Sequence, residues 1–299
     1  MKKIVSTTLL AGGLLFADVS TVIPFVGTVN YDSASNKSLK DKATFGGIYT
    51  SVGNLDYLLE FQYSYLDISY KNVYNFPDLK QHDITLVYGK YYLDYMYKIG
   101  GHYISNNEPS NFKDLGGGFM AILGIAGYQW YGYDKFTYGI DGYFSFYNSA
   151  RDEKTLTQNT NIRISQFTPF VSYTTALGAQ SSNTIMLKGN FIIANDYIDS
   201  NYASFEVSDT YTYENFYLTA RYFGGKMKSG IIDNGFTVFN TKDLMKNSYS
   251  LKVGYRFMPN FSADVSYMIN RYQEYDTSTL QLFPEGKRSS ALLSVSYSY

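Results

Sequence analysis

A rhythm of two runs through this sequence almost from its start to its last residue, and it limits the fold more than any other feature. In the final segment Ala291, Leu293, Val295, Tyr297 and Tyr299 alternate with Ser290, Leu292, Ser294, Ser296 and Ser298. Before it, Phe261, Ala263, Val265, Tyr267 and Ile269 alternate with Ser262, Asp264, Ser266, Met268 and Asn270. The segment before that sets Tyr249, Leu251, Val253, Tyr255 and Phe257 against Ser250, Lys252, Gly254 and Arg256. Successive side chains of a strand point to opposite faces, so each segment offers one apolar and one more polar face. Each is about ten residues long, the reach of a tilted strand across a bilayer.

Fourteen such segments can be placed, at 19–31, 42–52, 54–70, 81–89, 92–103, 117–128, 135–147, 160–174, 183–196, 201–211, 215–224, 247–257, 260–273 and 288–299. An even number suits a single-chain bacterial barrel. Short connections fall near Gly53, Lys90, 129–134, 177–182, 212–214 and Pro259; long polar ones fall near 32–41, 71–80, 104–116, 148–159, 225–246 and 274–287. Merging the two strands of 201–224 leads to a twelve-strand alternative. The expected fold is all-β: a transmembrane antiparallel up-and-down β-barrel forming one domain over 18–299. A soluble sandwich also alternates, but its inner face is built from Val, Ile and Leu, and its strands run to about five or six residues.

Composition agrees with a membrane wall. Charged residues are 17% of the chain and aromatics 18%, with 33 Tyr, 21 Phe and 1 Trp. Mean hydropathy is nevertheless −0.23. Tyrosine suits a surface half in oil and half in water. Residues 1–17 read as a secretory signal, with Lys2 and Lys3, an apolar stretch from Ile4 to Phe16, and Ala17 before the cut. No later apolar run approaches the ~20 residues of a spanning helix; the nearest is Gly116 to Tyr128. The chain has no cysteine and only two histidines, His82 and His102, which leaves no disulfide, thiolate metal site or cofactor to expect. A net charge of −1 and a pI near 6.1 argue against nucleic acid as a partner.

With the apolar register turned to lipid, the other register defines the interior. Asp56 and Glu60 oppose Tyr57, Leu59, Phe61, Tyr63 and Tyr65; Asp83 opposes Ile84, Leu86 and Tyr88. Asp94, Lys98 and His102 oppose Leu93, Tyr95, Tyr97 and Ile99. Asp141 opposes Phe136, Tyr138 and Ile140. Arg163, Lys188, Arg221, Lys252, Arg256 and Asp264 follow. Unpaired ions cost several kcal/mol in a dry interior, so these twelve are expected to line water. Acids gather in strands three to seven and bases in eight to twelve, which predicts a transverse field across the lumen. Loop 225–246 is too apolar for solvent and is expected to fold into the mouth or to pack with neighbouring loops as a lid. Segment 117–128 is apolar on both faces, with Met120, Ile122 and Ala126 inward, as a docking face for a loop or a slide for an apolar solute.

On the signal peptide and the SALLSVSYSY terminus the chain resembles bacterial outer-membrane porins, in size and strand number the monomeric fourteen-stranded ones. The resemblance implies an outer-membrane channel for passive diffusion of small hydrophilic solutes, surrounded by lipid. It also implies insertion by the outer-membrane assembly machinery through the strand ending at Tyr299. The fourteen-stranded fatty-acid transporters are similar in wall, yet they carry an N-terminal hatch that this sequence lacks, Val19 opening extended structure at once. A non-conducting structural or adhesive barrel is the second class, and a transporter of apolar solutes is a further alternative. An enzyme is the third and least supported: His102 and Ser105 are three apart and so on opposite faces, and the neighbours His82 and Asp83 also point apart.

Overall fold

The computed structural model describes residues 19–33, 40–70, 78–107, 117–148, 162–194, 201–230, 239–276, 281–282 and 285–299. Period-2 alternation becomes strand throughout. The first five are β1 (Val19–Ser33), β2 (Lys40–Gly53), β3 (Tyr57–Tyr70), β4 (Leu79–Tyr92) and β5 (Tyr95–Asn107). Next come β6 (Gly117–Tyr131), β7 (Asp134–Asn148), β8 (Ile162–Gly178), β9 (Ser181–Ala194) and β10 (Asn201–Tyr213). β11 (Phe216–Gly230), β12 (Phe239–Met258), β13 (Phe261–Asp276) and β15 (Gly286–Ser298) complete the wall, while β14 (Gln281–Leu282) is a stub on β13.

Each wall strand pairs antiparallel with its sequence neighbours, and β15 pairs with both β13 and β1. The sheet therefore closes on itself with fourteen strands and no open edge, which lets a β-structure satisfy its backbone groups in lipid. No helix among the described residues is long and apolar enough to cross a membrane. Residues 201–224, on which the twelve-strand alternative rested, are two full strands, β10 and β11, joined at Glu214–Asn215.

Six connections of two or three residues lie at one end, and the longer ones, largely outside the described residues, lie at the other. Outer-membrane barrels show this asymmetry. In three of the tight turns the residue after the strand, Leu93, Gly132 or Glu214, takes a positive φ of 53°, 65° or 50°, as strand twist at a two-residue hairpin demands. The strands outrun the alternation at the long-connection end. β12 is 20 residues, against the expected 247–257. β11 likewise continues to Gly230, through bulges between Gly224 and Met227 and between Lys228 and Gly230. Backbone pairing does not need an apolar face, so the ladder continues where the pattern stops. Much of the expected loop 225–246 is therefore wall, and its centre, 231–238, lies outside the described residues.

The predicted outward register is the exposed one. Ile84, Leu86 and Tyr88 on β4, Leu251, Val253, Tyr255 and Phe257 on β12, and Leu293 and Tyr297 on β15 are all exposed. Several wall glycines stand directly opposite an aromatic ring: Gly47 against Phe25, Gly27 against Phe45, Gly254 against Tyr217, Gly139 against Phe170. Each ring lies over its glycine so closely that a Cβ there would strike it. Such pairs account for glycine in strand interiors, where it otherwise weakens a sheet.

Candidate functional site

The inward register divides the interior by chemistry. On the long-connection side two apolar clusters are buried. One joins Val87 on β4, Met120 and Ile122 on β6, Ile164 on β8, Ile192 on β9, Tyr202 on β10, Phe223 on β11 and Leu244 and Met245 on β12. The other joins Val29 and Tyr31 on β1, Leu66 and Ile68 on β3, Ile104 on β5, Tyr272 on β13 and Leu292 on β15. Ile164 and Ile192 are each only 1% exposed. Segment 117–128 thus contributes Met120 and Ile122 to an apolar interior that several strands share.

Between the clusters runs a polar seam on β3, β4 and β5: Gln62, Ser64, Gln81, Asp83, Thr85 and His102, all buried. Asp83 accepts from Gln81 Nε2 at 2.9 Å and from Ser64 Oγ at 3.5 Å, and lies 3.5 Å from His102 Nε2. Thr85 Oγ1 is 2.5 Å from His102 Nδ1.

Closer to the tight turns the interior is charged, and the charges pair locally. Tyr49 donates to Glu60 at 2.6 Å. Asp141 lies within electrostatic reach of Lys98 and Lys188. Glu206 sits between Lys188 at 3.8 Å and Arg221 at 3.6 Å. Asp264 faces Lys252 at 3.5 Å and accepts from Tyr217 at 3.0 Å and Ser294 at 2.8 Å.

Of the twelve residues expected on the interior, Glu60, Asp83, Lys98, Asp141, Lys188, Arg221, Lys252 and Asp264 face it. Three expectations need correction, and a fourth residue, Arg256, lies at the mouth. Asp56 belongs to the turn Asn54–Asp56, its N–H held by Asn54 Oδ1 at 2.8 Å, and Asp94 to the two-residue turn after Tyr92; a tight turn takes both carboxylates out of the wall. Arg163 is exposed on the register opposite buried Ile164, at the long-connection rim. Arg256 keeps the inward register of Lys252 but is exposed at the turn-side mouth, two residues from the end of β12. The transverse field falls with them, because Glu206 and Asp264 stand among the bases and Lys98 beside Asp141. Sequence reasoning passed over Glu206, whose partners are set by register rather than sequence, Lys188 directly opposite on β9 and Arg221 two residues along β11, and the two tyrosines Tyr49 and Tyr217, whose ring count hid their hydroxyls. His102 faces inward and Ser105 lies on the other register, while His82 points outward between Tyr63 and Tyr65.

An apolar cavity of about 670 Å³ lies against β5 to β10 and draws on both registers, outward Ile125, Ile140, Val171 and Leu187 and inward Phe170 and Lys188. It meets the wall where the β8–β9 pairing skips Thr168 and Pro169 opposite Gly189 and Asn190. Proline has no N–H to give the ladder. On the inner side the Asn190 amide oxygen accepts from Thr168 at 3.4 Å and Gln166 at 3.3 Å.

No protein-family model and no curated protein matches the chain. Solved structures do. The Pseudomonas putida toluene transporter TodX aligns at TM-score 0.52 and 9% identity, over 95% of this chain and 90% of that one. A Pseudomonas aeruginosa FadL homologue aligns at 0.51 and 10%, over 97% and 91%. The Ralstonia pickettii toluene transporter TbuX aligns at 0.53 and 8%, over 95% and 90%. At these identities the likeness is one of fold: the chain is a closed fourteen-stranded barrel of the bacterial outer-membrane kind. The expectation of a water-filled porin for hydrophilic solutes is corrected here. Two of the barrels it resembles are named as toluene transporters, and two clusters of buried aliphatic and aromatic groups occupy the long-connection side of the interior.

Proposed function

We propose that this protein carries small apolar solutes across the bacterial outer membrane. The observation that carries this reading is the buried apolar lining from β4 to β12, centred on Met120, Ile122, Ile164 and Ile192. Apolar surface of a hydrocarbon gains about 25 cal/mol for each Å² that leaves water, so an apolar solute that enters among these side chains prefers them to solvent. The charged belt of Glu60, Lys98, Asp141, Lys188, Glu206, Arg221, Lys252 and Asp264 opposes its onward passage along the axis. We place its exit into the bilayer, where the apolar solute is already soluble, at Pro169 and Gly189, where the β8–β9 ladder skips two rungs beside the apolar pocket. Toluene transport by TodX and TbuX supports the solute class. The protein is a carrier rather than an enzyme in this reading. It is exported by residues 1–17 and inserted through the strand ending at Tyr299.

The test is uptake of micromolar toluene by cells with an intact lipopolysaccharide leaflet, with and without this protein. Wild type should raise uptake several-fold. Ile164→Asp with Ile192→Asp, checked for unchanged outer-membrane level, should return it to background. Equal uptake with and without the protein overturns the reading.

A further inference from the structure

Two buried polar atoms of the seam between the apolar clusters have no hydrogen-bond partner among the described residues: Gln62 Oε1 and His102 Nε2. Their side chains belong to one inward row. Gln62 is directly opposite Thr85, Thr85 is directly opposite His102, and His102 is directly opposite Met120. Gln62 is 3% exposed and His102 2%. Thr85 occupies the other ring nitrogen of His102, which fixes the imidazole and leaves Nε2 facing away from it. Asp83 lies 3.5 Å from that nitrogen, its carboxylate already engaged by Gln81 and Ser64. Apolar groups flank the row on both sides, Val87, Met120 and Ile122 from one cluster and Leu66 and Ile104 from the other.

A buried acceptor left without a donor is costly, and the cost is relieved by whatever brings one. A bare hydrocarbon cannot. A molecule with an apolar body and a single hydroxyl can donate to Gln62 Oε1 or meet His102 Nε2 while its ring or chain lies against Val87, Met120 and Ile104. We propose that the Gln62–Thr85–His102 row is a selectivity site for such solutes, small phenols and alcohols, within the apolar passage. This rests on the apolar-solute reading and narrows it. A site with a hydrogen-bonding group to satisfy discriminates against the analogue that lacks the matching one, and more strongly than an apolar pocket discriminates one methylene.

The experiment compares p-cresol with toluene, which share a methylated ring and differ by one hydroxyl, in equilibrium binding to the purified full-length protein in detergent. Each affinity is corrected for partition of the solute into protein-free micelles. Wild type should hold p-cresol about tenfold more tightly than toluene. Gln62→Leu and His102→Leu, each removing an unpartnered polar atom from an apolar setting, should bring the ratio toward one, the loss falling on p-cresol. Thr85→Val, which frees the imidazole to turn, should lower the ratio without abolishing it. Circular dichroism and heat-modifiable migration confirm that each variant is a folded barrel. A tenfold preference that survives in both leucine variants, or a wild type that binds the two solutes equally, overturns the selectivity site alone. Failure of wild type to bind either solute overturns the apolar-solute reading beneath it.

Discussion

Glu206 is the acid on which the charged belt turns, and Glu206→Gln is its most direct perturbation. Glu206 lies 3.8 Å from Lys188 Nζ and 3.6 Å from Arg221 Nε, with its own side chain 14% exposed. At an effective dielectric near 20, each contact is an attraction of about 4 kcal/mol before the cost of desolvating the ions. The bases keep 30% and 31% of their exposure, so water screens the contacts and the net value falls far below the raw sum. Removing the charge also leaves Lys188 and Arg221 repelling each other across β10. We expect a loss of roughly 1–2 kcal/mol, between an exposed pair and a fully buried one. Urea unfolding of the reconstituted barrel, followed by emission from Trp130 at the turn-side rim, reads this as a lower midpoint at constant slope. The double variant Glu206→Gln with Arg221→Gln restores the local charge balance and should recover at least half of the loss. If the single variant unfolds with wild type, or the two losses simply add, these three residues are not energetically coupled.

Other substitutions probe the wall. Gly47→Ala should destabilise the barrel by about 1–3 kcal/mol, because the new methyl meets the Tyr63 carbonyl oxygen and the Phe25 ring; the same urea transition measures it. Glu214→Gly removes a side chain from a left-handed position, φ 50°. It should raise stability by up to about 1 kcal/mol, since a non-glycine residue pays for that conformation, and a loss of stability would contradict it. Tyr49→Phe deletes the donor to Glu60 and should cost about 1–2 kcal/mol, in the range of a hydrogen bond to a charged group. Tyr49→Trp, with no hydroxyl either, should not restore it.

The wall was legible because its rule is local: a residue's facing follows from its parity, and Ile84, Leu251 or Leu293 could be turned to lipid from three neighbours on either side. The turn residues Asp56 and Asp94 defeated the same rule, since parity has no meaning once the chain reverses, and strands begun three residues too early, at 54 and 92 instead of Tyr57 and Tyr95, carry a carboxylate from turn to wall. The charged partners were hidden for another reason. Glu206 finds Lys188 and Arg221 through register across β9, β10 and β11, and Asp264 finds Tyr217 across β12, distances that no one-strand pattern contains. The apolar interior was half visible in Met120 and Ile122, where both faces of one strand are greasy. It was invisible at Ile164, which sits between Arg163 and Ser165, and at Ile192 and Leu244, whose apolar neighbours blur the alternation; the three become a cluster only when the sheet curves round.

The seam between β1 and β15 sets the order in which this molecule can be completed. Every other ladder joins strands adjacent in the chain, whereas Thr21 meets Ser298, their hydroxyls 3.0 Å apart, across 277 residues of sequence. Bringing such distant ends together costs about 2–3 kcal/mol more chain entropy than forming a hairpin of fifteen residues. Until the final strand has been made, the nascent sheet is an open ribbon with two unsatisfied rims, each a template for another chain. Zippering can advance from hairpin to hairpin, but sealing waits for β15 to meet β1, and a carboxy-terminal truncation should leave a sticky ribbon rather than a smaller tube.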